Sequence, residues 1–150
     1  MEWLEALRGT VVALDTAPLI YLIEEHPTYL PLVRPFFEAA DREEFRVVTS
    51  TLTLTEVLVH PMRRGDHELA EQYRRILIHT NAVAILSVSE PIAEQAAQLR
   101  ARYNLRTPDA IQLATALHSG ATSLLTNDSG FPQLASLHVL VLGQLLPRRP

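Results

Sequence analysis

The sequence predicts an α/β protein in which helices cover both faces of a parallel β-sheet. Five short runs rich in Val, Leu, Ile and Thr are typical of buried strands. Most segments between them carry apolar residues at helical spacing and are long enough, at about ten or more residues, for crossover helices. A chain of 150 residues that is 47% hydrophobic can bury a substantial core, so we expect one domain over residues 1–150.

The strand predictions rest on β-branched and apolar runs, the first of which, TVVALD, ends in an acid. The predicted strands are 10–15, 45–50, 82–87, 122–126 and 138–142. In open parallel sheets, ligands sit beyond the carboxyl ends of the strands. The residues that follow each strand are therefore the first place to look for chemistry.

The helix predictions rest on apolar spacing and on residues that start or stop helices. The predicted helices are 18–25, 29–44, 52–65, 66–80, 89–103 and 108–119. Pro18 suits a first turn, Ser89 and Thr107 can cap the helices that follow them, and Pro61 is expected to kink or divide its helix. The tail 147–150 is expected to be frayed.

Composition excludes several classes of protein. The chain has no cysteine, which removes disulfides, thiolate metal sites and cysteine catalysis and is compatible with the cytoplasm. Residues 1–8 lack the positive region of a signal peptide, and no apolar run could span a bilayer, so we expect a soluble cytoplasmic protein. The net charge of −4 argues against binding nucleic acid by phosphate neutralisation alone. A bound divalent cation would reverse the sign of a local acidic site.

Four acids lie near the expected carboxyl edge of the sheet: Asp15, Glu56, Asp109 and Asp128. Asp15 ends the first predicted strand, Glu56 follows the second by a short distance, and Asp128 lies just past the fourth. Asp109 starts the helix that leads into the fourth strand. In this architecture at least three of them should point into one crevice.

Each acid also has a local explanation. Asp15 could cap the helix that starts at Pro18, and Glu56 could complete a capping box with Thr53. Asp109 could be a first-turn acid stabilised by the helix dipole, and the segment TNDSG around Asp128 has an ordinary turn composition. Capping gives no reason for acids to converge, whereas a hard divalent cation with oxygen ligands does.

Four segments, VVALDTAPLIYLI, TLTEVLVHP, RTPDAIQLATAL and LLTNDSGF, together resemble a PIN domain, and specifically the VapC-like toxins of bacterial toxin–antitoxin modules. The resemblance covers residues 11–142, with the segments in the family's order. It implies a three-layer α/β/α fold with a five-stranded parallel sheet of order 3-2-1-4-5. It also implies metal-dependent cleavage of RNA.

The resemblance further implies that Asp15, Glu56, Asp109 and Asp128 form an acidic quartet, accompanied by the hydroxyl of Thr126. We expect Asp15 and Asp109 to ligate Mg²⁺ or Mn²⁺, and Glu56 and Asp128 to complete the shell or orient the attacking water. Thr126 should hydrogen-bond a ligand water or a carboxylate. The expected products carry a 3′-hydroxyl and a 5′-phosphate. Many members have a further acid near the fourth position, where this chain has Asn127, Ser129 and Gly130, which puts a second metal ion in doubt.

VapC-like toxins usually form homodimers and bind a cognate antitoxin in a hydrophobic groove, so the resemblance implies both partners here. The apolar residues of the first two predicted helices exceed what a core needs; they are Leu22, Ile23, Leu32, Phe36 and Phe37. Arg102 and Arg106 flank the approach to Asp109 and are candidates for steering RNA, whereas the pairs at 63–64 and 74–75 are typical of solvated helical faces.

Other functions remain open at this point. The chain could be a PIN nuclease with a housekeeping role and no antitoxin, or an inactive PIN-like binding module. An aspartate-nucleophile phosphatase is disfavoured because position 17, two residues after Asp15, is Ala17 instead of a second Asp. A zinc site is disfavoured because the six histidines show no i, i+4 pair, and His60 is more typical of packing or of a helix end.

Overall fold

A computed structural model describes residues 1–148 of the chain. The strands are β1 (Val11–Leu14), β2 (Arg46–Ser50), β3 (Ala84–Leu86), β4 (Ser123–Thr126) and β5 (His138–Val141). They form one sheet of order β3-β2-β1-β4-β5, and every neighbouring pair is parallel. The predicted fold class and strand order are confirmed.

The strands alternate with helices that pack on both faces. The helices are α1 (Glu2–Glu5), α2 (Thr16–Ile23), α3 (Leu30–Asp41), α4 (Thr51–Arg64), α5 (His67–Ile78), α6 (Glu90–Arg102), α7 (Thr107–His118) and α8 (Leu142–Leu145). No helix within residues 1–148 is long and apolar enough to cross a membrane.

Two apolar clusters cover the two faces of the sheet, because successive strand residues point to opposite sides. Val12 and Leu14 contribute to a cluster with the apolar residues of α2, α3, α4 and α5. Ala13, between them, contributes to the opposite cluster with α6 and α7. Buried alanines at 110 and 114 let the α7 backbone lie close to the sheet, and this approach places the start of α7 beside the end of β1.

Each predicted helix starts within one or two residues of its observed start, and three of the differences concern the residues expected to begin or cap a helix. Helix α2 begins at Thr16 instead of Pro18, and α4 begins at Thr51. The predicted capping box is wrong: Ser50 caps α4 by accepting a hydrogen bond from the Leu52 amide at 3.1 Å, and Thr53 is already inside the helix. The predicted cap at Thr107 is also wrong, because Arg106 occupies that position and the Thr107 hydroxyl accepts from Arg100 instead.

Other elements agree or differ in detail. Ser89 caps α6 as predicted, by accepting from the Ile92 amide. Helix α4 continues through Pro61 and is not divided there; it ends at Gly65, whose φ of 66° is left-handed. The short helices α1 and α8 were not predicted, because four residues are too few to show a helical period. Arg148 is exposed and outside any helix, and the rest of the predicted frayed tail, 149–150, lies outside the described residues.

Candidate active site

The candidate site lies at the carboxyl edge of the sheet, where β1 ends between β2 and β4. Asp15 follows the last residue of β1, and its amide donates to the Leu125 carbonyl at 3.0 Å, which continues the pairing with β4. Asp15 holds the N-cap position of α2 but makes no capping hydrogen bond within residues 1–148. The capping explanation for this acid is therefore not supported, and its carboxylate is available for other contacts.

The Asp15 carboxylate lies in a low-dielectric, acidic environment. Burial raises its pKa, and the nearby Glu56 and Asp109 carboxylates raise it further by charge repulsion. The Thr126 hydroxyl donates to Asp15 Oδ2 at 2.7 Å and opposes this rise by stabilising the charged form. Thr126 is itself buried at the end of β4, so the sheet fixes the orientation of the Asp15 side chain.

Glu56 reaches the site from the second turn of α4, where the residue is exposed. The Thr16 hydroxyl, at the start of α2, donates to Glu56 Oε1 at 2.8 Å. Glu56 does not serve as a cap, and its contact spans two elements that are 40 residues apart in sequence. This contact brings its carboxylate towards Asp15, consistent with the repulsion between the two.

Asp109 lies in the first turn of α7, as predicted, with a side chain that is 17% exposed. Arg106, which precedes the helix, donates through Nε to Asp109 Oδ2 at 3.2 Å. The Arg106 side chain is 78% exposed, so this ion pair is accessible to solvent and weak by the standards of such pairs. The carboxylate thus has one mobile cationic neighbour supplied by its own chain.

Asp128 is placed differently from the other three acids. Its Oδ1 accepts from the Gly130 amide at 2.8 Å, and its own amide donates to the Thr126 hydroxyl at 3.0 Å. Asp128 thus shares the Thr126 hydroxyl with Asp15, whose carboxylate accepts from it. The charges of Glu56 and Asp109 act on Asp15, whereas the Asp128 carboxylate closes a turn.

The donor set can be tested for its fit to a metal ion. Across residues 1–148, no three Asp, Glu, His or Cys side chains are grouped closely enough to hold an ion among them. The donors are nevertheless all oxygens, and Mg²⁺ commonly uses one or two carboxylates directly while keeping several waters. A hydrated divalent ion would also relieve the repulsion at Asp15. The residues fit such an ion, held partly through water.

Sequence reasoning missed the hydroxyl and amide side chains that support the acids, among them Thr16 and Gln112. Gln112 is buried on α7, three residues after Asp109, and therefore on the same face of the helix. The signal was present in the sequence as a polar residue on an otherwise apolar helix. It was not usable alone, because an isolated Gln at that spacing also occurs on solvated faces.

The remaining candidates from the sequence lie away from these contacts or have other partners. His60, Arg63 and Arg64 are exposed residues of α4. The Arg102 guanidinium lies 5.6 Å from the centre of the Tyr103 ring. Of the two arginines expected to steer RNA, Arg106 is the one that contacts an acid of the site.

Solved structures with the same fold are components of toxin–antitoxin systems. A toxin–antitoxin complex from Klebsiella pneumoniae aligns with a TM-score of 0.63 and 26% identity over 84% of this chain and 94% of that chain. VapBC2 from Rickettsia felis, bound to a promoter DNA fragment, aligns with a TM-score of 0.66 and 16% identity over 87% and 98%. VapC20 from Mycobacterium tuberculosis, described as a Sarcin-Ricin loop cleaving toxin, aligns with a TM-score of 0.62 and 20% identity over 75% and 86%.

Sequence comparison gives the family. No curated protein matches the chain. The model of the PIN domain matches residues 12–137, which include all of β2 to β4, β1 except its first residue, and all four predicted acids. The five-stranded parallel sheet and its strand order agree with that match. The chain belongs to the PIN domain family.

Proposed function

We propose that this protein is an endoribonuclease that depends on Mg²⁺ or Mn²⁺ and acts as the toxin of a toxin–antitoxin module. The observation that carries the proposal is the convergence of Asp15, Glu56 and Asp109 at the carboxyl edge of a PIN-family sheet. Glu56 and Asp109 both act on Asp15 by charge repulsion, and the one cation that pairs with these acids among the described residues is the exposed Arg106, so the crevice favours a divalent cation. The toxin–antitoxin complexes with the same fold support the biological role.

The residues of the crevice would have different roles in phosphodiester hydrolysis. A bound divalent ion would supply an activated water and absorb charge on the phosphorus in the transition state. Asp15, held by Thr126, and Asp109 would hold the ion directly or through water. Glu56 is anchored through Oε1 by Thr16 and offers Oε2 to orient the attacking water. Arg106 is exposed enough to leave Asp109 and contact a phosphate of the RNA.

The antitoxin and a second copy of the chain are the proposed protein partners. An apolar groove of about 460 Å³ lies among α2, α3 and α5, lined by Leu22, Ile23, Phe37 and Ile76. Leu32, Phe36 and Phe37, expected as part of an excess of apolar residues, are instead buried in the core, although Phe37 also borders the groove. Arg34, Glu38, Asp41 and Arg75 surround the apolar lining and could pair with an antitoxin segment of mixed charge. Light scattering of the purified protein tests the homodimer.

The decisive experiment compares wild type with Asp109→Asn after brief induction, by sequencing the 5′ ends of cellular RNA. Glu43→Gln is the matched control, because it neutralises an exposed acid just before β2, at the opposite edge of the sheet. We expect discrete cuts with wild type and with Glu43→Gln, and none with Asp109→Asn. Equal cutting by Asp109→Asn would remove the proposed site. Rescue of growth by the product of an adjacent small gene would support the toxin role over a housekeeping nuclease.

One observation favours the alternative of an inactive binding module. The Asp128 carboxylate closes a turn, and the described acids form no ready-made metal cage. A module of this kind would bind RNA without cutting it. Purified protein that shifts RNA in a gel but leaves it intact when Mn²⁺ is present at roughly a tenfold excess over its dissociation constant would favour this alternative.

A further inference from the structure

Gln112 is a buried amide on a helix whose other buried residues are mostly small or apolar. Its side chain is 3% exposed, and both ends of the amide are used. Its Oε1 accepts from the Ser50 hydroxyl at 3.2 Å, and its Nε2 donates to Thr53 Oγ1 at 2.8 Å and to Thr16 Oγ1 at 3.5 Å. One side chain of α7 thereby joins the end of β2, the first turn of α4 and the start of α2.

Each hydroxyl group has one proton to donate, and this fixes the direction of each hydrogen bond in the network. Thr49 donates its hydroxyl proton to the Leu14 carbonyl at 2.8 Å, so in its 2.8 Å contact with Thr53 it accepts. Thr53 therefore donates to Thr49 and accepts from Gln112. Thr16 donates its proton to Glu56 and accepts the second amide proton of Gln112. Every donor has one acceptor, and this order requires an amide at position 112.

The network touches the immediate neighbourhood of all three converging acids. Leu14 and Thr16, the residues on either side of Asp15, both belong to it. Thr53 lies one helical turn before Glu56 on α4, and Gln112 lies one turn after Asp109 on α7. A change at the centre of the network would therefore move the three acids relative to one another.

We propose that Gln112 is a positioning residue that sets the separation of Asp15, Glu56 and Asp109 and orients the Glu56 carboxylate through Thr16. In this role it determines how tightly the crevice holds a divalent cation and how fast RNA is cut, without touching either. The inference rests on the proposed function. Misplacing catalytic groups by about 1 Å can cost on the order of a hundredfold in rate, so a small shift of these elements is sufficient.

The first test compares Gln112→Met with the matched control Thr115→Val. Thr115 lies one turn further along α7, is 1% exposed, and donates only to the Ile111 carbonyl of its own helix at 2.8 Å. Both variants lose a buried polar group, so both should lower the melting temperature modestly. Gln112→Met alone should require about 10–100-fold more Mn²⁺ for half of the Mn²⁺-induced rise in melting temperature, the range typical for groups that orient metal ligands.

The same variants should differ in kinetics. We expect kcat for RNA cleavage to fall by about 10–100-fold in Gln112→Met, while KM for RNA changes little, because the amide does not contact the substrate. Thr115→Val should keep the Mn²⁺ response and the kcat of wild type. Gln112→Met that titrates with Mn²⁺ and cuts RNA like wild type would overturn the inference.

A second pair of variants covers the case in which Gln112→Met does not fold. Thr16→Val removes the last link to Glu56 at a partly exposed position, and Thr16→Ser keeps the hydroxyl. Thr16→Val should lose kcat and Mn²⁺ affinity, and Thr16→Ser should recover most of the loss. If Thr16→Val and Thr16→Ser behave alike, the Thr16 hydroxyl does not link Gln112 to Glu56. If wild type neither binds Mn²⁺ nor cuts RNA, the proposed function fails and the inference fails with it. If wild type is active and Gln112→Met binds Mn²⁺ and cuts RNA equally well, only the inference is rejected.

Discussion

The two edges of the sheet treat acidic side chains in opposite ways. At the amino edge, Glu44 precedes β2 and forms ion pairs with Arg8 at 2.9 Å and Arg42 at 2.8 Å. A hydrogen bond from Arg42 and the charges of both arginines lower its pKa. At the carboxyl edge, burial and two neighbouring acids raise the pKa of Asp15. At the amino edge two arginines pair with Glu44, whereas at the carboxyl edge the only ion pair among the described residues is the exposed one between Arg106 and Asp109, and Asp15 has no cationic partner there.

The comparison shows that clustered acids indicate a cation-binding site when the cationic side chains of the protein do not neutralise them. Glu44 is satisfied by arginines that lie near it in sequence or in space, and it needs nothing more. Asp15 receives a neutral hydroxyl from Thr126 and no cation among the described residues. A cation from solution would restore at the carboxyl edge the balance that arginines provide at the amino edge.

The largest expected effect is that of Asp15→Asn on metal binding. Saturating Mn²⁺ at about a hundredfold excess over its dissociation constant should stabilise wild type by about 2.7 kcal/mol, because the ion binds only the folded state. Asp15→Asn should lose most of this stabilisation, as measured by thermal melts with and without Mn²⁺. An undiminished shift in the variant would place the ion elsewhere.

The same variant should be more stable than wild type without metal. The pKa of Asp15 is raised above its ordinary value of 3.8, so its favourable contribution is complete below that pH and is lost as pH rises through the folded-state pKa. As pH increases through the folded-state pKa, metal-free wild type should therefore lose stability relative to Asp15→Asn. The variant should have the higher melting temperature at neutral pH. Parallel pH profiles of the two melting temperatures would contradict the raised pKa.

A smaller effect is expected from Asp128→Asn. The Asn Oδ1 can still accept from the Gly130 amide, so the turn that Asp128 closes is kept. Cleavage rate and Mn²⁺ affinity should therefore fall less than in Asp15→Asn or Asp109→Asn, in assays run side by side. A loss equal to that of Asp109→Asn would mean that the Asp128 carboxylate leaves its turn and joins the site when metal binds.

A few-fold effect is expected from Arg106→Ala, which removes the cationic neighbour of Asp109. Exposed ion pairs are typically worth about 0.2–1 kcal/mol, so Mn²⁺ affinity should rise by roughly two- to fivefold. KM for RNA should rise as well if Arg106 contacts a phosphate, and this rise should diminish at high salt. Unchanged Mn²⁺ affinity would show that the ion pair does not compete with the metal.

The smallest effect is expected from Glu44→Gln at the amino edge. The pKa of Glu44 is lowered, so its contribution to stability is present above the ordinary value of 4.5 and is lost as pH falls through the folded-state pKa. The variant should differ from wild type slightly at neutral pH and not at all in strong acid, and RNA cleavage should be unaffected. A large loss of cleavage would connect the two edges in a way that the contacts do not explain.

Much of the fold could be predicted because periodicity and strand composition are local properties of the sequence. The order β3-β2-β1-β4-β5 came from the family resemblance carried by the four motifs. At least three of the four acids were expected to share a crevice, since strand ends of a parallel sheet share an edge, but the sequence did not indicate which three. Local capping motifs were less reliable. The N-cap of α4 is Ser50 instead of Thr53, and the N-cap of α7 is Arg106 instead of Thr107.

The sequence by itself determined the strands, the helices and the set of acids near the carboxyl edge, because each depends on residues close together in the chain. Only the tertiary structure decided how those acids are held. Gln112 meets Thr16 across 96 residues and Thr53 across 59, and Thr126 meets Asp15 across 111. These residues meet because α7, α4 and β4 pack around β1. A buried polar group then hydrogen-bonds with the polar group that this packing places beside it.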